Sequence, residues 1–400
     1  MKRVGTIMVA ALAAAGLTLG FAMGDPPTKT TQPAGTNELA EKLVKHCVNI
    51  KEGDLVVISG GVRDVTLLED IYTNVRKVGA FPVITLGSER LTRKYYDDVP
   101  GKFDSQVPQF DLKMAEVMTA VISVDYGETM GLLADVPSAR LAAVGEAYVP
   151  IQDLSLKRKV KQVSLGNGLY PTKSRAALFG VSQNDLAEVF WAGVNTDYVK
   201  LQTAGEALKA VLAKGKEIHI TADNGTDLRV GIEARPVFIS DGVVSEADMQ
   251  AGPAGCQVWL PAGEVFLAPV PGTATGTVVV DRQFYQGKEI TKLTLVFDKG
   301  RLTSMTAASG LEPLKARYDA MGEGKDRFAI VDIGINPEVQ LLPDSRMVCW
   351  MAAGMVTVGI GNNTWAGGDN DATFALYPFL PRATLKVDGT TYVANGKLKI

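Results

Sequence analysis

The sequence predicts two regions of different texture: an N-terminal α/β region with a mostly parallel sheet over residues 38–200, and a C-terminal α+β region with a mainly antiparallel sheet over 201–400. Three observations predict it. Between Glu38 and Tyr198, short apolar runs alternate with runs whose apolar residues recur at helical spacing, the pattern of parallel strands joined by crossover helices. Beyond Leu201 the runs become short, alternating and punctuated by glycine, as antiparallel strands are. With 400 residues, 46% of them hydrophobic and 21% charged, the chain can build two cores that need no disulfide staples.

Lys2 and Arg3 precede an uncharged stretch, 4–24, that closes on Ala22-Met23-Gly24, with small residues at both positions a signal peptidase reads. Residues 1–24 therefore read as a secretory signal. An uncleaved anchor is the alternative, because the stretch approaches the ~20 residues that span a bilayer. No cysteine follows for lipid attachment, and 25–37, rich in Pro, Thr and Gly, reads as a flexible linker. The expected location is exported: periplasmic, cell-envelope or extracellular, with no membrane segment after cleavage.

Leu39, Leu43, Val44 and Cys47 mark an amphipathic helix, and 55–59 a buried strand ending at the Gly60-Gly61 turn. Val65, Leu68, Ile71, Val75 and Val78 mark the next helix; a strand at 82–86, a polar helix from Ser88 and a strand at 121–124 follow. The glycine pair invites a phosphate-binding reading, but neither GxGxxG nor GxxxxGK[ST] occurs there, so it is a plain turn. Lys157, Arg158, Lys159 and Lys161, with Asp153, read as the solvated face of a short helix, and a loop at 171–174 and a helix at 184–192 close the region. The second region offers a helix at 204–212 and strands at 218–221, 228–232, 277–280, 293–297 and 302–306. Asp298-Lys299-Gly300 is a hairpin turn between the last two. A helix at 313–321 interrupts the series before strands at 347–360 and 384–394.

Lys plus Arg number 41 against 44 Asp plus Glu, a formal charge of −3, so the basic excess of a nucleic-acid partner is missing. Cys47, Cys256 and Cys349 lie far apart in apolar surroundings and read as buried thiols. Only two histidines occur, His46 and His219, which removes most imidazole-based catalysis. His219 alternates with Ile218 and Ile220 as a half-buried strand residue. His46 beside Cys47 fits packing and a helix C-terminus better than a thiolate pair. Neither a GxSxG elbow nor an HExxH helix is present.

Leu260-Pro261-Ala262-Gly263-Glu264-Val265-Phe266, with Ala268-Pro269, resembles the glutamate motif of the aminopeptidase T and bacterial leucyl aminopeptidase family of dinuclear metallopeptidases. Lys51-Glu52-Gly53-Asp54, Arg76 to Pro82, Asn224 to Leu228, Gly310 with Glu312, Gly334-Ile335-Asn336-Pro337 and Asn362-Asn363-Thr364 fit the same family in unbroken order from Glu38 to Ile400. The resemblance implies an aminopeptidase T-like fold, a homodimer enclosing its active sites, and removal of N-terminal residues from peptides by a hydroxide held between two metal ions. It also implies roles. Glu264 and Glu312 match the family's acidic residues, Glu264 as a metal ligand and Glu312 as ligand or general base, while Asp332 stands as a shorter ligand where a glutamate is usual. Thr357 falls where the first histidine belongs, Ala375-Leu376-Tyr377 occupies the family's His-x-Asp, and no tyrosine appears in 343–350 to match the family's.

Borderline metals rely on nitrogen or sulfur ligands, so the missing imidazoles put zinc and cobalt in question. Asp369 and Asp371 offer oxygen ligands for Mg or Mn, against the simpler reading as loop caps; Glu264 and Glu312 have simpler readings too, as a hydrogen-bonded structural carboxylate and a first-turn helix acid. The sequence leaves catalysis open. The leading reading is an exported, degenerate member of the family with lost or strongly reduced hydrolysis, with binding of a peptide or other small ligand as what the old cleft could retain and a divalent metal (Mn, Mg, Co or Zn) or none as its cofactor. The alternative is an active aminopeptidase using Mn, Mg, Co or Zn in a carboxylate-rich site. A structural role, with the cleft filled by Trp365 or Tyr377, is the third.

Overall fold

The computed structural model describes residues 35–400. The expected signal at 1–24 and all but the last residues of the expected linker lie outside the described residues.

Helix Val65–Lys77 forms where the sequence places Leu67, Leu68, Ile71 and Val75 on one face, and that face is buried. It packs on the first of three sheets. This sheet has five strands, all parallel, in the spatial order Phe81–Gly87, Leu55–Gly61, Ala120–Val124, Lys161–Leu165, Gln257–Leu260. The outer strand Phe81–Gly87 is the exception to burial: none of its residues is fully covered. The fifth strand comes from far beyond residue 200, so the two textures of the sequence are stitched together by a shared sheet.

The second sheet has eight strands, paired antiparallel throughout, from Arg301–Thr306 at one edge to Lys397–Leu398 at the other. The turn between Lys288–Asp298 and Arg301–Thr306 has Lys299 and Gly300 at φ 46° and 74°, the left-handed pair a tight hairpin requires. The third sheet has six strands: Ala375–Leu376, Val356–Gly361, Phe328–Gly334, Glu264–Leu267 and Phe238–Ser240, with Phe379–Leu380 also on Val356–Gly361. One face of it (Val265, Leu267, Val331, Ile333, Val356, Val358) joins the main core. The other carries the candidate site.

Three expected elements differ. Lys161 opens the strand Lys161–Leu165 rather than ending a helix, its charge held by Asp54 at 3.1 Å, while Asp153 sits in the long helix Ser138–Lys157. Of 347–360 only Val356–Gly361 is strand; the stretch before it is buried irregular chain around Met347, Cys349 and Met351. The run 384–394 is two strands, split by Asp388-Gly389 at φ 48° and 85°. Cys47, Cys256 and Cys349 are buried free thiols, as expected. Among the described residues no helix is long and apolar enough to cross a membrane.

Candidate functional site

Residues directly opposite each other in antiparallel strands share a face. Phe238 pairs with Phe266, Phe266 with Asp332, Asp332 with Thr357, and Thr357 with Phe379. This makes one row across five strands in which a carboxylic acid and a hydroxyl sit between aromatic side chains. Ser240, Glu264 and Gly334 form the next row, so Glu264 stands diagonally beside Asp332.

The turn that delivers Glu264 is tightly built. The chain leaves the parallel sheet at Leu260, passes the cis Leu260-Pro261 bond and enters the third sheet through Gly263, whose φ is 129°. A Cβ on Gly263 would lie 2.6 Å from Asn336 Cβ, so only glycine fits both the angle and the space. Asn336, fully buried, donates through Nδ2 to Ala262 O at 2.6 Å and Gly193 O at 3.1 Å. The Gly334-Ile335-Asn336-Pro337 motif is therefore the brace for the Glu264 turn. From the parallel sheet, Asn167 Nδ2 donates to Glu264 Oε1 at 2.7 Å and to Pro261 O at 3.0 Å.

Burial dominates the electrostatics. It pushes the Glu264 carboxyl up to about 8, opposed only by the Asn167 hydrogen bond. Asp332 is raised well above the usual carboxylate range by burial and then by the neighbouring Glu264 charge. Both Asp332 carboxyl oxygens and Thr357 Oγ1 are buried without a hydrogen-bond partner. Cys349 lies close enough to feel Glu264, and burial, reinforced by that charge, pushes its thiol up to about 12.

Aromatic rings close over this face. Trp365 packs on Trp259 at 5.6 Å, Phe266 at 5.4 Å and Tyr377 at 5.9 Å between ring centres, and Trp350 on Tyr377 at 5.2 Å. Tyr377 OH accepts from Trp365 Nε1 at 3.0 Å and donates to Asn362 O at 2.9 Å, so its hydrogen bonding is committed within the plug.

The structure brings Glu264 and Asp332 together and does not bring Glu312 to them. Glu312 is exposed at the start of helix Glu312–Asp319 and makes no hydrogen bond or ion pair among the described residues. Asp369 is exposed and Asp371 half-buried, and neither caps its loop; Asn362 and Asn363 do, accepting from Thr364 N and Asn370 N. His46 is exposed while Cys47 beside it is buried with its thiol pushed up to about 12, so they form no reactive pair. His219 bonds Asp227 at 2.7 Å on the eight-stranded sheet. Sequence reasoning missed Asn167; its signal is the Gly166-Asn167-Gly168 turn at the carboxyl end of a parallel strand, where functional groups of such sheets gather.

A dinuclear centre needs several carboxylates and imidazoles converging on two cations. Among the described residues no group of three or more His, Cys, Asp and Glu side chains is disposed to hold a metal ion. Two carboxyls, a hydroxyl and a phenol committed to Trp365 and Asn362 supply no nitrogen ligand and do not fit that centre.

A parallel sheet thus feeds a buried acid pair on an antiparallel sheet. The profile described as thermophilic metalloprotease (M29) matches residues 34–328, and the chain belongs to that family. Aminopeptidase AmpS of Bacillus subtilis (strain 168) is 25% identical over 309 residues, 70% of this chain and 72% of the relative. Among solved structures, wild-type AmpT from Thermus thermophilus superposes with a TM-score of 0.71 at 18% identity, covering 91% of this chain and 99% of that one. The 2,5-dihydroxypyridine dioxygenase from Pseudomonas putida KT2440 gives 0.60 at 15%, covering 93% and 98%. The likeness to AmpT bears out the aminopeptidase T-like architecture expected from the sequence.

Proposed function

We propose that this protein is an exported member of the aminopeptidase family in which metal-dependent hydrolysis is lost or strongly reduced, and that it acts by binding a peptide or other small ligand, as a homodimer. One observation carries the reading. At the positions where the family resemblance calls for metal-binding side chains stand Thr357, buried opposite Asp332, and Tyr377, whose hydroxyl is tied to Trp365 and Asn362. A fold shared by AmpT and by a protein named a dioxygenase leaves chemistry to the donor set. Here the donors suit protons better than paired cations.

The three partnerless oxygens of Asp332 and Thr357 favour one other reading, an aminopeptidase rebuilt around Glu264 and Asp332 with a hard cation. Elemental analysis after dialysis against excess Mn, Co and Zn separates the two, with Glu264→Ala as control. The degenerate reading expects no stoichiometric metal and no release of N-terminal residues from peptides. Bound metal lost in the Glu264→Ala variant, with hydrolysis lost alongside it, would establish the rebuilt enzyme instead. Export expects a mature N-terminus after Gly24 by mass spectrometry of the envelope or medium fraction, and the homodimer expects twice the chain mass in light scattering.

A further inference from the structure

A cleft of about 400 Å³ lies apart from the buried acid pair, between the two regions of the chain. Met130, the helix Lys173–Phe179 through Ser174 and Leu178, the tip of the hairpin formed by strands Thr275–Tyr285 and Lys288–Asp298 through Phe284 and Lys288, and Arg346 form its walls. The order of the parallel sheet reverses between Leu55–Gly61 and Ala120–Val124, and ligands of such sheets bind beyond the carboxyl ends of the strands at that reversal. The chain leaving Ala120–Val124 runs from there into the cleft wall. Met130 N donates to Ser174 Oγ at 3.0 Å, and Gly131, at φ 82°, packs so closely on the hairpin that a Cβ would lie 2.8 Å from Gln286 O.

The charges in the wall do not cancel. Glu289 accepts from Arg282 at 2.6 Å and stands 3.7 Å from Arg346, so two guanidinium groups share one carboxylate. Arg346 also donates to Ala177 O at 2.9 Å, which fixes its fork at the rim. Lys288 is exposed and its ammonium has neither hydrogen bond nor ion pair among the described residues. A positive excess beside the apolar surfaces of Phe284, Leu178 and Met130 suits a ligand that ends in a carboxylate next to a small apolar side chain.

We infer that this cleft binds the carboxylate terminus of a short peptide, with Lys288 and Arg346 on the carboxylate and Phe284 and Leu178 against the last side chain. The inference rests on the reading that peptide binding persists, and it gives that binding a place outside the acid pair. Calorimetry on the full chain tests it with tri-alanine, N-acetyl-tri-alanine and tri-alanine amide. The two acids should bind alike and the amide at least about tenfold more weakly, as loss of a charge-assisted contact requires. Lys288→Glu should weaken tri-alanine by about tenfold or more, while Lys288→Arg and the distant exposed Lys397→Glu stay within about twofold. An amide that binds as well as the acid, or an unaffected Lys288→Glu variant with wild-type circular dichroism, overturns the cleft and leaves peptide binding standing. No heat from any of the three peptides at about 10 mM overturns both.

Discussion

Replacing Asp332 by leucine should stabilise the protein. Asp332 lies on the strand Phe328–Gly334, every residue of which is buried, with both carboxyl oxygens partnerless. Burial and the Glu264 charge raise its carboxyl well above the ordinary value of 3.8. The unfolded chain ionises near that ordinary value, so holding the proton in the folded chain costs free energy that grows by about 1.4 kcal/mol per pH unit from there up to the folded-state value. Burying the carboxyl without hydrogen bonds costs a further ~1–3 kcal/mol. Leucine avoids both costs, and crowding against Phe266 and Thr357 returns ~1–3 kcal/mol, about the size of the hydrogen-bond penalty, so the net gain expected at neutral pH is the cost of holding the proton. The sign of the pH dependence follows from the raised value: between 3.8 and the folded-state value the folded chain carries a proton the unfolded chain lacks, so stability falls as pH rises. Urea unfolding at pH 5, 6 and 7 should therefore show the advantage of Asp332→Leu growing with pH, by at most about 1.4 kcal/mol per pH unit. A variant less stable than wild type at pH 7, or an advantage that shrinks with pH, would refute a neutral, partnerless acid.

Tyr377→Phe removes the acceptor of Trp365 Nε1 and the donor to Asn362 O, and should cost ~1–3 kcal/mol in urea unfolding with little change in near-ultraviolet circular dichroism. Gly263→Ala meets both the φ of 129° and the contact with Asn336, and should cost more than ~2 kcal/mol in the same assay. Asn167→Ala takes away the one hydrogen bond that lowers the Glu264 carboxyl, so carbon-detected titration of Glu264 should show its midpoint moving above about 8.

The parallel sheet was legible because its helices are amphipathic and its first three strands are short apolar runs between turn residues. Other elements hid for physical reasons. Phe328–Gly334 and Glu264–Leu267 are buried on both faces, so the alternation that advertises a strand is absent. Lys161–Leu165 begins with a lysine that looks solvated until Asp54, far back in the chain, neutralises it. Gln257–Leu260 joins a sheet whose other strands end near residue 165, a pairing no local pattern encodes. At the candidate site, the motifs pointed to Glu264 and Asp332, which the structure places side by side, and the first-turn position of Glu312 was also what an ordinary helix acid would occupy. The aromatic plug was invisible as a unit because Trp259 and Phe266 on strands meet Trp365 and Tyr377 from the loops about a hundred residues further along the chain.

The two functional readings differ in what balances Asp332, and that difference is thermodynamic before it is catalytic. A protonated acid between Phe266 and Thr357 is a burden that packing alone does not reward, and the aromatic plug supplies the surplus burial that lets the fold carry it. A hard cation would instead turn the same oxygens into ligands and hold both carboxyls in their charged form. Adding Mn or Mg would then stabilise wild type by mass action and leave Asp332→Leu unmoved. If the proton is the occupant, neither protein responds to the metal and the leucine variant is the more stable of the two.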